Sequence, residues 1–187
     1  MDGSDPSADH ARPQLAIRGA RAEDMPAIHA IYAHAVVQGT GSFELEPPTL
    51  TAMVARWRDI AETYPWIVAL HGSEIVGYAY AGPYRPRPGY HATLSSSVYV
   101  AERAQGQGVG RALLARLLDE AASAGFRQIV ATIGDSANLA SIRLHESAGF
   151  AHIGVLRSVG WKHGRWLDTV IMQRPLGPGE TMPMDRG

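Results

Sequence analysis

The chain has 187 residues, 45% of them hydrophobic, with 17 Lys and Arg against 18 Asp and Glu and no cysteine. That size and balance predict one soluble globular domain, and a net charge of −1 argues against a nucleic-acid binder that relies on a bulk positive field. No disulfide, thiolate metal site or cysteine nucleophile is available, no apolar run reaches the ~18 residues of a membrane span, and the polar N-terminus lacks a secretion signal, so a cytoplasmic location is expected.

Residues 1–14 and 177–187 read as disordered tails around a folded domain at 15–176, because neither end carries enough apolar surface to offset its ordering entropy. Residues 15–18 read as a first strand. Asp24 before Met25-Pro26 signals a helix start, and Ile28, Ile31, Tyr32 and Ala35 continue at helical spacing until Gly39. Pro47-Pro48-Thr49 introduces a second helix around Met53, Val54 and Trp57. Strands at 66–70 and 75–80 flank a glycine-bearing turn and form a hairpin. A proline- and arginine-containing loop leads to a strand at 91–100. A helix over 108–124 follows, with Val109, Leu113, Leu117 and Ala121 on one stripe, Leu114 and Leu118 beside it, and Gly125 as its stop. A strand at 128–133, a helix at 138–148 and strands at 151–160 and 166–174 complete the order βααβββαβαββ. This predicts an α+β domain of three layers, one mixed sheet with helices on both faces.

Between strand 91–100 and its following helix lies Gln105-Gly106-Gln107-Gly108-Val109-Gly110-Arg111. Glycines on alternate positions permit a tight turn, and the helix behind them aims unpaired N–H groups and its positive dipole end into that turn. The three parts make a seat for a pyrophosphate. The dinucleotide fingerprint fails because Arg111 stands where its last glycine belongs, and no Gly-Lys-Ser or Gly-Lys-Thr occurs for a P-loop. In the helix 138–148, Asn138, Ser141 and His145 project from one face, while Ala140, Leu144 and Ala148 occupy a stripe able to meet the core. By itself that polar face is compatible with a solvated surface, and Asn138 with a simple helix cap. The histidines show no metal-ligand spacing, so no metal is expected.

The glycine turn, as Q-x-x-G-x-G, resembles the pyrophosphate loop of the GNAT acetyltransferase superfamily, and Asn138 to Phe150 resembles that superfamily's second acetyl-CoA motif. Ser42-Phe43-Glu44-Leu45-Glu46-Pro47, Tyr80-Ala81-Gly82-Pro83, Ser97-Val98-Tyr99-Val100, Arg143-Leu144-His145-Glu146 and Lys162-His163-Gly164-Arg165-Trp166-Leu167-Asp168 are similar to the phosphinothricin N-acetyltransferase group, which also acetylates methionine sulfoximine and methionine sulfone. The resemblance spans about residues 15–176. It implies a GNAT-type, mostly antiparallel sheet, acetyl-CoA as cosubstrate, a small-molecule amine as acceptor, and a homodimer, with no nucleic-acid or membrane partner. It also implies that Val98, Tyr99, Val100 and residues 105–111 hold the cofactor with Asn138 and Ser141, that Val98 N–H serves the oxyanion, and that Asn138 contacts the pantetheine arm. His145 stands where the superfamily commonly has a tyrosine that protonates the departing thiolate.

One position departs from that pattern. The group usually carries a glutamate, the proposed general base, where this chain has Ser95. A serine hydroxyl does not take a proton from an ammonium unaided. Three routes stay open: His145 as base, a water held near Ser95, or a site rebuilt for another amine. His91 shares strand parity with Ser95 but sits ~13 Å away along the strand. Arg85 and Arg87 offer planar donor forks to a carboxylate or phosphinate, and Phe43 and Tyr90 can line an apolar wall; each also fits an ordinary loop or core role. Two further readings of the whole chain are an acetyl-CoA-binding module without catalysis and an acetyltransferase for a protein amine.

Overall fold

The computed structural model describes residues 14–182. Seven strands and four helices follow in the expected order: β1 (Leu15–Gly19), α1 (Met25–Gln38), α2 (Leu50–Ile60), β2 (Trp66–His71), β3 (Glu74–Pro83), β4 (Thr93–Val100), α3 (Val109–Ser123), β5 (Gln128–Gly134), α4 (Leu139–Ser147), β6 (Ala151–Lys162) and β7 (Arg165–Pro175). They build one sheet ordered β1-β2-β3-β4-β5-β7-β6. Every neighbouring pair is antiparallel except β4 and β5, which are parallel and joined by the crossover helix α3.

Two apolar clusters hold the layers together. On one face Leu113, Leu114 and Leu117 of α3 pack on Ile67, Leu94, Ile129 and Met172. On the other, Met25, Ile28 and Val36 of α1 and Met53 of α2 cover Val68 and Tyr78. Each such side chain, fully buried, contributes about 1.5–3 kcal/mol relative to exposure. Gly77 lets α3 approach the sheet: a Cβ there would lie 3.0 Å from the Tyr99 carbonyl oxygen and 3.1 Å from Leu113 Cδ1.

The start and stop signals act as the sequence suggests in most places. Thr49 accepts the Ala52 N–H at 3.2 Å and caps α2, and Gly125 leaves α3 at φ 87°. His163 (φ 52°) and Gly164 (φ 70°) form the two-residue turn between β6 and β7, the positive-φ geometry that a tight hairpin needs. Asp24 stands at the N-cap of α1, where its helix-start signal put it, but its side chain makes no capping hydrogen bond to that helix. Its carboxylate is taken by the Arg18 guanidinium, at 2.6 and 2.8 Å, and by the Arg21 N–H at 2.8 Å. Strand β4 begins at Thr93, so His91 is not on it; the His91 ring is turned to the Pro88 carbonyl at 2.8 Å. Past β7, Leu176 is buried and donates its N–H to Arg127 O at 2.9 Å, and Gly179 closes a turn on Leu176. The expected disorder at 1–13 and 183–187 falls outside the described residues.

Candidate active site

A cleft of about 1340 Å³ crosses the sheet where β4 and β5 part. The two strands pair only from Thr93 with Gln128 to Ser96 with Ala131. Beyond that, Ser97 to Val100 line the cleft on one side and Thr132 and Ile133 on the other. Ala101 donates its N–H to Val76 O of β3 at 2.9 Å. Since N–H directions alternate along a strand, those of Val98 and Val100 point the opposite way, into the opening. Backbone donors aimed at a water-poor gap are what an oxyanion requires.

The glycine turn forms the outer end of the cleft. Gly106 and Gly108 have φ of 72° and 84°, and Gly108 is the N-cap of α3 in the left-handed region. Glycine is required there by backbone conformation, because nothing lies within 4 Å of a Cβ built on either residue. Gly106, Gly108, Val109, Gly110 and Arg111 line the cleft. Gln105 also lines it and turns Nε2 to Val100 O at 3.5 Å, whereas Gln107 lies outside the lining and donates to Arg103 O at 2.7 Å. Gly110 serves packing: its Cβ would meet Leu144 Cδ2 of α4 at 3.4 Å. This combination of an open helix N-terminus, left-handed glycines and a deep cleft fits a pyrophosphate-bearing cosubstrate.

Helix α4 supplies the third wall. Asn138 is its N-cap, the side-chain oxygen accepting the Ser141 N–H at 3.2 Å, and both residues line the cleft. His145 is the one buried residue of α4, 4% exposed, so the solvated-face reading does not hold for it. Its Nδ1 lies 2.8 Å from the Ser141 carbonyl, and its ring meets Phe150 edge-on at 5.0 Å. A carbonyl only accepts, so Nδ1 carries the hydrogen and neutral His145 presents Nε2 as an acceptor. Burial pushes its pKa below the ordinary histidine value, outweighing the Ser141 hydrogen bond. His145 is therefore neutral at neutral pH. Ala140, expected to meet the core, is instead exposed on the cleft wall, and Ile142 joins Leu144 and Ala148 against the core.

Ser95 and His145 do not meet. Cross-strand partners share a face, and Ser95, Ser97 and Tyr99 stand opposite Gly82, Tyr80 and Tyr78. Tyr78 belongs to the cluster under α1 and α2, while Phe150, which His145 touches, belongs to the α3 side. Ser95 is half-buried and lies outside the cleft lining. Arg85, Arg87 and Tyr90 are exposed and likewise outside it. The Arg85 guanidinium sits 5.2 Å from the Tyr84 ring centroid, and Tyr90 meets the same ring edge-on at 5.6 Å. Phe43 packs flat on Gly160 of β6, where any Cβ would collide with its ring.

The sequence reading missed Asp135, which lines the cleft at the end of β5. It is 6% exposed, with φ 71°, unusual for a residue other than glycine. Burial would push its pKa up, but the Ala137 N–H at 3.0 Å and Arg165 at 2.5 Å hold the carboxyl below its usual range. Asp135 O accepts the Asn138 N–H at 3.0 Å, so this residue sets where α4 begins. Gly134-Asp135-Ser136 just ahead of the Asn138 cap was the available signal. Asp168 ties the last hairpin to the loop before α4: its carboxylate accepts Ser158 N–H at 2.9 Å and the Ser136 hydroxyl at 2.7 Å.

Comparison with known proteins agrees with this geometry. The acetyltransferase (GNAT) family model matches residues 22–150. A phosphinothricin N-acetyltransferase of Alcaligenes faecalis is 51% identical over 91% of this chain and 87% of its own length. An L-methionine sulfoximine/L-methionine sulfone acetyltransferase of Pseudomonas aeruginosa is 40% identical over 89% of this chain and 98% of the relative. The crystal structure of a phosphinothricin acetyltransferase from Sinorhizobium meliloti in complex with acetyl-CoA superposes with a TM-score of 0.90, at 39% identity, over 92% of this chain and 94% of that one. The chain belongs to the GNAT acetyltransferase family and is an N-acetyltransferase that uses acetyl-CoA.

Proposed function

We propose that the acceptor is the amino group of a small amino-acid-like molecule, of the kind represented by phosphinothricin and the methionine sulfoximine and sulfone pair. The observation that supports this most is the 51% identity, across nearly the whole chain, to a phosphinothricin N-acetyltransferase. In this reading the α3 N-terminus and its glycine turn bind the pyrophosphate, and Asn138 and Ser141 flank the pantetheine arm. Val98 N–H stabilises the oxyanion as the acetyl group passes to the amine. An α-amino group is mostly protonated at neutral pH, so a proton must leave before or during attack. One ammonium proton leaves to water before attack; His145 Nε2, neutral and on the cleft wall, takes a second as the C–N bond forms, and the resulting imidazolium gives it to the thiolate as the C–S bond breaks. Ser95 and Ser97, facing α1 and α2, border the acceptor. Phe43, Arg85, Arg87 and Tyr90 lie outside the cleft lining and have no assigned part in this reading.

The test is thiol release from acetyl-CoA with phosphinothricin, methionine sulfoximine, methionine sulfone and a panel of other amines. Binding of acetyl-CoA with no turnover on any of them would favour a non-catalytic module. Ser95→Glu restores the carboxylate that the family resemblance implies at this position. Its kcat/KM for phosphinothricin is expected to rise at least about tenfold; a fall would show that the site is shaped for a different amine.

One surface feature supports the homodimer that the family resemblance implies. Ile153, Leu156, Val159, Trp161 and Trp166 all stand more than half exposed on the β6–β7 hairpin, and β6 is an edge strand. Apolar patches of this kind mark association surfaces. Light scattering should give twice the monomer mass for the natural chain and a shift toward monomer for Trp166→Ser; a monomeric natural chain overturns the proposal. Among the described residues no helix is long and apolar enough to cross a membrane; a cytoplasmic location fits the reading.

A further inference from the structure

The loop that joins α1 to α2 lines the cleft with Gly39, Thr40 and Gly41. It sits over the end of β5 and beside α4, where a Cβ on Gly41 would stand 3.8 Å from Asn138 Nδ2. Residues 39–49 form neither helix nor strand, so the loop takes its position from what it touches. Two of its backbone carbonyls are held by the tip of the β6–β7 hairpin, 120 and 124 residues further along the chain. Lys162 Nζ donates to Ser42 O at 2.7 Å, and His163 Nε2 donates to Gly39 O at 3.1 Å. Ser42 is fixed again from α1, its hydroxyl lying 3.0 Å from that of Tyr32.

Lys162 is an unexpected residue at this place. It is the only lysine in the chain, the other 16 of the 17 Lys and Arg being arginine, and it is 3% exposed. A buried ammonium is costly unless it is paired. Here the hydrogen bond goes to a neutral carbonyl, and the carboxylate that acts on the amine, Glu44, is already ion-paired with Arg56 at 2.6 Å. Burial accordingly pushes the Lys162 pKa below the ordinary lysine value. An arginine would bring five donors in a rigid fork, whereas lysine brings one compact charge on a flexible stem, which suits a single carbonyl. Packing alone would favour an apolar side chain of the same length. The beneficiary of the charge is the loop, since a charge-assisted bond is stronger than a neutral one.

Resting on the acceptor reading above, we infer that Lys162 is a positioning residue of the acceptor site: its ammonium holds the Ser42 carbonyl and thereby sets Gly39, Thr40 and Gly41 as the cleft wall on the acceptor's side. That reading puts the acceptor on the face of α1 and α2, and this loop joins those two helices. Lys162 itself lies outside the cleft lining, so it acts through the loop. The glycine turn hangs on β4 and α3 and does not depend on it.

Lys162→Met keeps the stem and removes the donor. In thiol-release kinetics it should raise the acceptor KM about tenfold and change the acetyl-CoA KM by less than about twofold. The acceptor is methionine sulfone, or the amine of the panel with the highest kcat/KM if that is another. His163→Asn sits at an exposed turn where asparagine accepts the φ of 52°, and losing its weaker tie should raise the same KM about threefold. Because Lys162 is the one lysine, its reaction with an amine-acetylating ester, read by peptide mass spectrometry, reports the seating of the loop without catalysis. That reaction should be slower in the natural chain than in His163→Asn. The N-acetyl product of the acceptor has no amine to consume the ester; at ten times its Kd it should slow the reaction about tenfold by binding only the seated loop. If Lys162→Met does not fold, His163→Asn and the labelling decide. Equal rises in both KM values, an unchanged acceptor KM, or labelling that the product leaves unchanged would each overturn the inference and leave the proposed function standing. If no amine releases thiol although acetyl-CoA binds, the proposed function fails and takes the inference with it.

Discussion

His145→Ala is expected to lower kcat by ~10²–10³-fold while changing the Kd for acetyl-CoA no more than about threefold. The expected split follows from its position. The side chain is held by the Ser141 carbonyl and the Phe150 edge rather than by the glycine turn at the outer end of the cleft, so its loss is expected to remove proton transfer and not anchorage. The pH profile carries the same information. The active form is the neutral imidazole, and burial depresses the pKa below 6.5. Activity is therefore retained at neutral pH and falls as pH drops through that depressed value, and this acid limb disappears in the variant. Turnover in His145→Ala equal to that of the natural chain, or an acid limb that survives the substitution, would sink the assignment.

Gly134→Ala is expected to cost about 2–3 kcal/mol of stability, a Tm lower by roughly 5–10 °C. Gly134 ends β5 beneath the loop that joins α1 to α2. A Cβ there would penetrate the Thr40 carbonyl oxygen and lie 3.3 Å from the carbonyl carbons of Thr40 and Gly41. All three atoms are backbone, so no side chain can turn aside, and the loop itself must move. Thr40 and Gly41 line the cleft, so the acceptor KM should rise together with the loss of stability. Gly72→Ala is the control. Its φ of 61° disfavours a side chain but nothing lies within 4 Å, so it should cost only about 1 kcal/mol and leave KM alone. A Gly134→Ala protein with the natural Tm and KM would refute the close approach.

Elements were legible wherever local chemistry and periodicity agreed. The α3 stripe, the start of α2 at Pro47-Pro48-Thr49 and the glycine-bearing turn between β2 and β3 depend on neighbours in the chain, and the structure has them where the pattern put them. Asp24 starts α1 where its signal put it, yet its carboxylate goes elsewhere, because a guanidinium six residues back offers two charged hydrogen bonds, stronger than one backbone N–H. Ala140 departs from expectation: a short helix beside a cleft has two inward directions, core and ligand, and apolar spacing does not distinguish them. Asp135 had no periodic signature, since its place rests on contacts with Arg165 and with the start of α4.

The sequence by itself determined the family, the element order, the glycine turn ahead of α3 and the identity of the residues on the α4 wall, because these rest on fixed spacings within single elements. Only the tertiary structure decided which of those residues share a space. Strand pairing puts Ser95 on the α1–α2 face and His145 across the sheet, and the early end of β4–β5 pairing opens the cleft that His145 lines and Ser95 does not. Burial then sets the protonation state of His145 and leaves Tyr78 and Trp66 without partners. Face, burial and unpaired donors are properties of segments brought together from far apart in the chain, so spacing along it cannot encode them one element at a time.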